Sequence, residues 1–163
     1  MRPAPDFENK IVAPDALCGR LNSIARPLVF TNGVFDILHR GHVTCLARAR
    51  ALGAALVVAL NSDASVARLG KGPERPVNPL EDRLAIVAAL ESVTCATWFE
   101  ADTPLDLIRA LRPDHLVKGG DWQPESIVGA REVSSWGGSV HAIPFEHPRS
   151  TTALIRKLRG PSA

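Results

Sequence analysis

Seven consecutive apolar residues, Ala54-Ala55-Leu56-Val57-Val58-Ala59-Leu60, limit what this chain can fold into. An apolar run without polar residues at alternate positions is typical of a strand that is buried on both faces of a parallel sheet. On both sides of this run, short apolar segments alternate with segments of helical periodicity. This alternation predicts an α/β domain with a doubly wound, mainly parallel sheet.

The same pattern predicts the individual elements. We expect strands over 28–31, 54–60, 94–99, 115–118 and 138–143. We expect helices over 14–25, 43–52, 64–69, 80–90, 104–111, 125–135 and 151–158, the last capped by Ser150. Residues 1–13 are expected to form a loosely ordered leader. Residues 70–79 hold two glycines and three prolines, and they are expected to form a loop that acts as a lid over the site.

Composition excludes several classes of protein. A chain of 163 residues with 45% apolar residues suits one domain with a sizeable core, and its net charge of +2 does not favour bulk nucleic-acid binding. No apolar run approaches the ~20 residues of a membrane span, and the N-terminus lacks a signal-peptide core. Three widely spaced cysteines imply no disulfide framework. We therefore expect a cytoplasmic protein that acts on small molecules.

The segment from Gly33 to His42, Gly-Val-Phe-Asp-Ile-Leu-His-Arg-Gly-His, carries the clearest chemical signal. It lies between a predicted strand and a predicted helix, so its two histidines flank a glycine at a helix start. Free backbone N–H groups and the helix dipole attract anions there. Gly41 removes a side chain that would hold a ligand off the backbone. Histidine donates hydrogen bonds and can be cationic near neutral pH. The segment predicts a phosphate site.

Polar residues follow three of the predicted strands, the one before the histidine segment included. They occur in three places along the chain: from Asn32 to His42, at Asn61 and Asp63, and from Lys118 to Trp122. Ligands of doubly wound sheets bind beyond the carboxyl ends of the strands. The three groups therefore predict one nucleotide-sized site.

Several segments jointly resemble a known enzyme family. Gly33-x-Phe35-Asp36-x-Leu38-His39-x-Gly41-His42 resembles the signature of the cytidylyltransferase-like nucleotidyltransferases, which have a Rossmann-like fold. Four other segments look like one branch of it, the D-glycero-β-D-manno-heptose 1-phosphate adenylyltransferases: Asn61-Ser62-Asp63-Ala64-Ser65, Arg75-Pro76-Val77-Asn78-Pro79-Leu80-Glu81, Val117-Lys118-Gly119-Gly120-Asp121 and Ser150-Thr151-Thr152. Some bacteria fuse this activity to a sugar kinase. No kinase half is present here, so we expect a stand-alone enzyme.

The resemblance implies a reaction and a set of roles. A sugar 1-phosphate attacks the α-phosphorus of ATP and expels pyrophosphate, with Mg²⁺ present, giving ADP-heptose for the lipopolysaccharide core. His39, His42 and Lys71 would be the catalytic residues. The nucleotide would contact Thr31, Asn32, Gly33, Phe35, Gly41, Arg83, Gly119, Gly120, Ser150, Thr151 and Thr152. The acceptor would contact Asp36, Asn61, Asp63, Lys118 and Trp122. Residues 28–159 would form the nucleotidyltransferase domain, preceded by a leader and helix (1–27) and followed by a tail (160–163), in a homodimer.

The lysine loop departs from the family pattern. Relatives usually read Arg-Leu-Lys-Gly before the Arg-Pro-Val segment, whereas this chain has Arg68-Leu69-Gly70-Lys71-Gly72, one residue more. Lys71 is the natural equivalent of the loop lysine.

Several of these residues also have a purely structural explanation. A single histidine at such a position is more often a cap or core residue. Asp36 also suits an indirect role behind the ligand contacts, an acceptor on the magnesium side, or a turn cap. Lys118 suits the nucleotide as well as the sugar phosphate. Asp63 suits a helix cap, and Gly119-Gly120 an ordinary turn. Lys71 suits a solvated loop charge, and Arg83 an exposed helix charge. A zinc site of His39, His42 and Cys45 would need a helix that begins before Gly41, and no fourth ligand is evident, so we predict no protein-bound metal.

Three other functions remain open on the residues alone. A related nucleotidyltransferase could use CTP or a different phosphorylated acceptor. A non-catalytic nucleotide-binding module could keep the fold, although the intact histidines, Lys71 and hydroxyl cluster disfavour this. A tRNA synthetase shares a related histidine motif, but it is a much longer enzyme.

Overall fold

Five parallel strands form one sheet in the computed structural model, which describes residues 5–147 and 150–159. The strand order is β3-β2-β1-β4-β5. The strands are β1 (Leu28–Gly33), β2 (Ala55–Asn61), β3 (Cys95–Phe99), β4 (His115–Gly119) and β5 (Ser139–Ile143). The helices are α1 (Pro14–Gly19), α2 (Arg40–Arg50), α3 (Asp63–Arg68), α4 (Leu80–Ala88), α5 (Leu105–Leu111), α6 (Ala130–Ser135) and α7 (Thr151–Arg159).

The apolar run that begins at Ala54 forms a strand with both faces covered, as predicted. All seven residues of β2 are buried. Phe30 and Val57 point into a core that includes Ile108 and Val133 of α5 and α6. Residues of opposite parity on the same strands pack against Leu46, Leu84 and Val87 of α2 and α4. Helices therefore cover both faces of an all-parallel sheet, which confirms the doubly wound α/β prediction.

The strand order reverses at β1, and this reversal positions the site. From β1 the chain proceeds to β2 and β3 on one side and later to β4 and β5 on the other. The carboxyl ends of β1 and β4 lie side by side, with a crevice between the connections that leave them. This is the point at which open α/β sheets bind ligands.

The expectation of a loose leader is wrong for residues 6–12. A 3-10 helix spans Asp6–Lys10, Ile11 forms a parallel bridge with Ala96, and the Val12 N–H donates to the Ala96 carbonyl at 2.9 Å. Phe7 and Ile11 pack against the core beneath α2 and α4. The bridge at Ile11 extends the edge of the sheet beyond β3.

Helices α1 and α6 differ most from their predicted bounds, and both are shorter than predicted. Helix α1 ends at Gly19, and a separate 3-10 turn covers Leu21–Ser23. Helix α6 begins at Ala130 because Gly129, with φ +89°, interrupts the path from the 3-10 turn at Pro124–Ser126. The described residues include no helix long and apolar enough to cross a membrane.

Candidate active site

The loop between β1 and α2 is shaped by its glycines. Phe35 adopts φ +49°, a left-handed conformation that is uncommon for a large side chain and that often marks functional sites. A Cβ on Gly33 would lie 2.9 Å from the Phe35 ring, and one on Gly41 would lie 3.1 Å from the His39 ring. Gly41 thus makes room for the His39 ring. The same lack of a side chain would also let a ligand approach the backbone closely.

The two histidines form a stacked pair. Helix α2 begins at Arg40 with His39 as its N-cap residue, and the His42 N–H donates to the His39 carbonyl at 2.9 Å. The ring centroids are 3.8 Å apart and the rings are nearly parallel, with 19° between their planes. Phe145 meets both rings edge-on, and Phe35 meets His42 edge-on at 5.2 Å. Aromatic edges therefore fix the orientation of the pair.

Burial keeps this pair neutral. It lowers the pKa of His42 to about 4, with a further contribution from His39, and it lowers the pKa of His39 as well. A cationic histidine is possible from the sequence alone, whereas in the folded, ligand-free site His42 is an uncharged imidazole at neutral pH. Positive charge for a polyphosphate must therefore come from elsewhere in the site.

Each ring of the pair also has a buried nitrogen without a partner. No residue in the described part of the chain hydrogen-bonds to Nδ1 of His39 or of His42. Leaving a buried N–H unpaired is costlier than leaving a lone pair unpaired, so the proton is best assigned to Nε2. In that tautomer each imidazole retains one N–H donor for a ligand oxygen.

Two lysines supply the positive charge. The half-buried Lys118 places Nζ 3.3 Å from Asn32 Oδ1 and 5.9 Å from the centroid of the Trp122 ring. Burial lowers the pKa of Lys118, and the neighbouring charge of Lys71 lowers it further. Two cations that destabilise each other suit a site whose ligand is an anion. Despite the additional loop residue, Lys71 faces the same space as Lys118.

Three adjoining cavities lie above the carboxyl ends of the strands, and Lys71 lines all three. The histidine cavity, of about 520 Å³, is lined by Val34, Phe35, Asp36, His39, His42, Gly70, Lys71, Arg75, Phe145, Ser150, Thr151 and Thr152. The middle cavity, of about 210 Å³, is lined by Thr31, Asn32, Gly33, Val34, Phe35, His42, Cys45, Leu46, Lys71, Lys118, Gly119 and Phe145. The tryptophan cavity, of about 300 Å³, is lined by Asn32, Gly33, Val34, Asn61, Leu69, Lys71, Asp102, Thr103, Pro104, Lys118, Trp122, Ser126, Ile127 and Val128.

The start of α7 forms the wall of the histidine cavity that carries hydroxyl groups. Ser150 Oγ accepts a hydrogen bond from the Ala153 N–H at 3.1 Å, which confirms the predicted cap. Thr151 Oγ1 donates to the Ile37 carbonyl at 3.3 Å and so joins this helix to the histidine loop. The helix N-terminus and its hydroxyl groups therefore line the same cavity as the stacked histidines.

Asp36 does not present a free carboxylate to a substrate. Its side chain is fully buried, pairs with Arg75, and accepts hydrogen bonds from the backbone N–H groups of Val77 and Asn78 at 2.8 and 3.0 Å. Asp36 thereby fastens the end of the lysine loop to the histidine loop, which fits an indirect role behind the ligand contacts, and its contact with the acceptor stays a prediction. Sequence reasoning missed Arg75, although the branch segment that begins with it was recognised.

Arg83 lies beneath the site and lines none of the three cavities. Its side chain is completely buried and donates to the carbonyls of Val34, Asn61 and Asn78 at 2.8, 2.9 and 3.0 Å, and to Asp63 Oδ1 at 2.6 Å. The alternative of an exposed helix charge is therefore wrong. The hydrogen bonds of Arg83 tie the ends of β1 and β2 to α3 and α4, so Arg83 supports the walls of the site, and its contact with a nucleotide stays a prediction.

The remaining predicted residues divide between the cavities and their surroundings. Asp63 lines none of the three cavities, and the cap of α3 is Ser62, whose Oγ accepts from the Ser65 N–H at 3.1 Å. Gly120, with φ +112°, lies beside Trp122. A Cβ on Gly119 would lie 2.9 Å from the Phe145 ring, so the middle cavity requires glycine there. Thr31 lines the middle cavity, Asn61 and Trp122 line the tryptophan cavity, and Asn32 lines both.

The geometry also bears on the zinc alternative. Helix α2 begins at Arg40, but His39 is its N-cap residue with extended backbone, so His39 does not share a helical face with His42 and Cys45. In the parts of the chain that the structure describes, no three His, Cys, Asp or Glu side chains are grouped closely enough to hold a metal ion.

A parallel α/β sheet whose switch-point crevice contains a histidine pair, two lysines and a helix N-terminus defines a protein that binds nucleotide phosphates. The chain belongs to the cytidylyltransferase-like family, whose model matches residues 30–157. This confirms the resemblance inferred from the histidine motif.

Named relatives are close in sequence. The chain is 55% identical to a D-beta-D-heptose 1-phosphate adenylyltransferase of Bordetella bronchiseptica over 155 residues, 94% of this chain and 96% of that protein. It is 57% identical over 132 residues to the bifunctional protein HldE of Hahella chejuensis, covering 81% of this chain but 28% of that protein.

Solved structures share the fold. A lipopolysaccharide core biosynthesis protein from Thermoplasma volcanium superposes with a TM-score of 0.60 at 26% identity, covering 75% of this chain and 98% of that one. Pantothenate synthetase from Thermus thermophilus, at 18% identity and a TM-score of 0.56, shares the architecture alone.

Proposed function

We propose that this protein transfers AMP from ATP to D-glycero-β-D-manno-heptose 1-phosphate, releasing pyrophosphate and forming ADP-heptose for lipopolysaccharide core synthesis. The observation that carries the proposal is the 55% identity to a heptose 1-phosphate adenylyltransferase over nearly the whole of both chains. The site is consistent with it, because the three cavities have space for two anionic substrates that meet at Lys71.

The chemistry needs no general base. A phosphate oxygen of the sugar forms a bond to the α-phosphorus of ATP, the bond from that phosphorus to the bridging oxygen breaks, and pyrophosphate leaves with the electron pair. The nucleophile is already anionic. Among the described residues, the one carboxylate that lines the histidine cavity is that of Asp36, and it is occupied by its own contacts. Catalysis then rests on alignment of the substrates and on donors that face the developing charge.

The cavities suggest how the substrates lie. We assign the triphosphate to the histidine cavity, with His39, His42 and the hydroxyl groups of Ser150, Thr151 and Thr152. We assign the nucleoside to the middle cavity, with Thr31, Asn32, Gly33, Phe35, Gly119 and the adjacent Gly120.

We assign the acceptor to the tryptophan cavity, where Asn61 and Trp122 flank its sugar and Lys118 contacts its phosphate. Lys71 faces both substrates. Gly41, Asp36, Arg83 and Asp63 act by positioning these groups.

Magnesium is expected to enter with the nucleotide. The leaving pyrophosphate carries more negative charge than the side chains of the histidine cavity neutralise, since these include Lys71 and an Arg75 that is already paired with Asp36. Mg²⁺ is usually bound through substrate phosphates and waters. The described residues offer no ready-made cluster of ligands, which suits an ion that is carried by ATP. Activity that survives complete chelation of divalent ions would contradict this role.

The remaining expectations concern the whole chain. We propose that residues 28–159 carry the transferase activity, that the protein is a cytoplasmic homodimer, and that its partners are small molecules and not nucleic acids. Light scattering coupled to size-exclusion chromatography tests the dimer, since a single peak at the mass of one chain would contradict it.

A substrate screen tests the function directly. Sugar 1-phosphates, including both anomers of D-glycero-D-manno-heptose 1-phosphate, are combined with ATP, CTP, GTP or UTP and Mg²⁺, and pyrophosphate release is followed. We expect the highest kcat/KM with ATP and the β-anomer, with ADP-heptose identified by mass spectrometry. Efficient turnover of a different acceptor, or preference for CTP, would overturn the substrate assignment. Absence of turnover with every pair would favour a non-catalytic module.

A further inference from the structure

Arg75 is a buried cation in the wall of the histidine cavity. Its side chain is only 5% exposed, and its partner Asp36 is 0% exposed. A guanidinium removed from water is costly unless its N–H groups find acceptors. The partners of those N–H groups therefore indicate what the residue does.

The Asp36 carboxylate satisfies only one edge of this guanidinium. Nε of Arg75 donates to Asp36 Oδ2, while the other acceptor positions of the carboxylate are taken by the N–H groups of Val77 and Asn78. A guanidinium has five N–H groups in a planar fork. Its two terminal nitrogens form no hydrogen bond to any residue within 5–147 or 150–159. Four donors therefore remain for a ligand.

The position of Arg75 indicates which ligand group they meet. Arg75 lines only the histidine cavity, together with Ser150, Thr151 and Thr152, whereas Lys118 lines only the other two cavities. Arg75 is therefore at the end of the site remote from the proposed acceptor. If the triphosphate occupies the histidine cavity, its β- and γ-phosphates extend toward this end.

We propose that Arg75 binds the pyrophosphate moiety of the nucleotide, donating from its terminal nitrogens to oxygens of the β- and γ-phosphates. This deepens the proposed function and rests on its placement of the triphosphate. Asp36 anchors the Nε edge, so the fork is held in one orientation before the ligand arrives. A planar fork donates two parallel hydrogen bonds to phosphate oxygens, which a lysine cannot do.

Calorimetric binding of two nucleotide fragments tests this role. Inorganic pyrophosphate and AMP are titrated, each with Mg²⁺, into the wild-type protein and into the double variant Asp36→Asn/Arg75→Gln, which replaces the buried ion pair by neutral groups. We expect pyrophosphate affinity to fall roughly 10- to 100-fold, the usual effect of losing charge-assisted hydrogen bonds. AMP affinity should stay within about twofold, because AMP lacks the β- and γ-phosphates. Arg109→Gln, which breaks the exposed ion pair with Glu132, is the matched control and should change neither affinity.

The outcomes separate binding from a structural role. Pyrophosphate affinity within about twofold of wild type in a folded double variant overturns the proposal, and so does an equal loss of AMP and pyrophosphate affinity. If circular dichroism shows that the double variant is unfolded, the same titrations are made with Arg75→Lys. This variant retains the positive charge beside Asp36 but loses the planar guanidinium and its paired donors. A selective loss of pyrophosphate affinity in Arg75→Lys supports the proposal, and unchanged affinity overturns it. A wild-type protein that binds pyrophosphate through Arg75 but adenylylates no heptose phosphate would refute the proposed acceptor and leave this inference standing.

Discussion

Three properties of His42 bear on its role in catalysis. It is stacked on a second histidine, its pKa is lowered to about 4, and its Nδ1 lacks a partner among the described residues. Such a residue contributes little to binding through charge. Its remaining N–H forms the strongest hydrogen bond to a phosphate oxygen when negative charge accumulates on that oxygen, which happens in the transition state.

We therefore predict that replacing His42 reduces turnover more than nucleotide binding. In His42→Ala, kcat should fall by about 10²- to 10³-fold, the usual consequence of losing one preorganised donor, with a smaller change in ATP affinity. His39→Ala should behave similarly, with a greater loss of affinity. Steady-state kinetics together with calorimetric ATP binding measures both quantities.

A matched control is available at the other end of the sheet. His115, the first residue of β4, contacts His141 at 3.1 Å and lies away from the carboxyl ends of the strands. His115→Gln should retain wild-type kcat. Near wild-type turnover in folded His42→Ala would remove His42 from the mechanism.

At the level of elements, the loop over residues 70–79 is two segments and not one lid. Residues 71–73 are exposed and contain Lys71, flanked by Gly70 and Gly72 at positive φ. Residues 75–78 are instead fastened to the buried carboxylate of Asp36. Any closing motion therefore belongs to the segment around Lys71, which leads from the end of α3 to a fixed anchor.

This division predicts a specific pattern of limited proteolysis. Trypsin should cut rapidly after Lys71 in the free protein, and ATP with Mg²⁺ should slow this cut as the lysine engages phosphates and the segment closes. Cleavage after Arg75 should be absent in both states, because Arg75 is buried and Pro76 follows it. Mass spectrometry of the fragments identifies each site of cleavage.

The companion variant is Lys71→Ala. An exposed loop lysine supports little packing, so the free energy of unfolding should stay within about 0.5 kcal/mol of wild type, while kcat/KM for ATP falls clearly. Equal cutting rates with and without nucleotide, together with full activity of Lys71→Ala, would show that the additional loop residue has moved this lysine out of the site.

The elements themselves were largely predictable, whereas the contacts that support the site were not. Local patterns in the sequence indicated β2, α4 and the cap at Ser150, because alternation, periodicity and capping are properties of neighbouring residues. The pairs Asp36–Arg75 and Asp63–Arg83 join residues 39 and 20 positions apart. No local pattern specifies such pairing, so Asp36 was assigned to the acceptor and Arg83 to an exposed surface or the nucleotide. The ordered segment at 6–12 was missed for the same reason, since its partner Ala96 is distant in sequence.

For the molecule as a whole, the same burial that prepares the site should make the fold sensitive to acid. The pKa values of His42, His39 and His141 are all lowered, mainly by burial and for His42 and His141 also by a neighbouring histidine. In the unfolded chain a histidine has its ordinary pKa of about 6.5. Between pH 6.5 and pH 4 the unfolded chain therefore binds a proton at His42 that the native protein does not, and falling pH favours unfolding.

We accordingly predict that the free energy of unfolding is highest above pH 6.5 and decreases as the pH falls below it. His42 alone contributes a slope of at most about 1.4 kcal/mol for each pH unit, and His39 and His141 act in the same direction. Urea denaturation at pH 7.5, 6.5, 5.5 and 5.0 measures the slope in a range where most carboxylates stay ionised. His42→Gln should flatten it, because glutamine binds no proton in either state, whereas Lys71→Ala should not. A free energy of unfolding that is equal or higher at pH 5.0 than at pH 7.5 would show that the buried histidines titrate normally in the native protein. The neutral donor assigned to His42 would then be wrong as well, since the catalytic argument and the stability argument depend on the same desolvated imidazole.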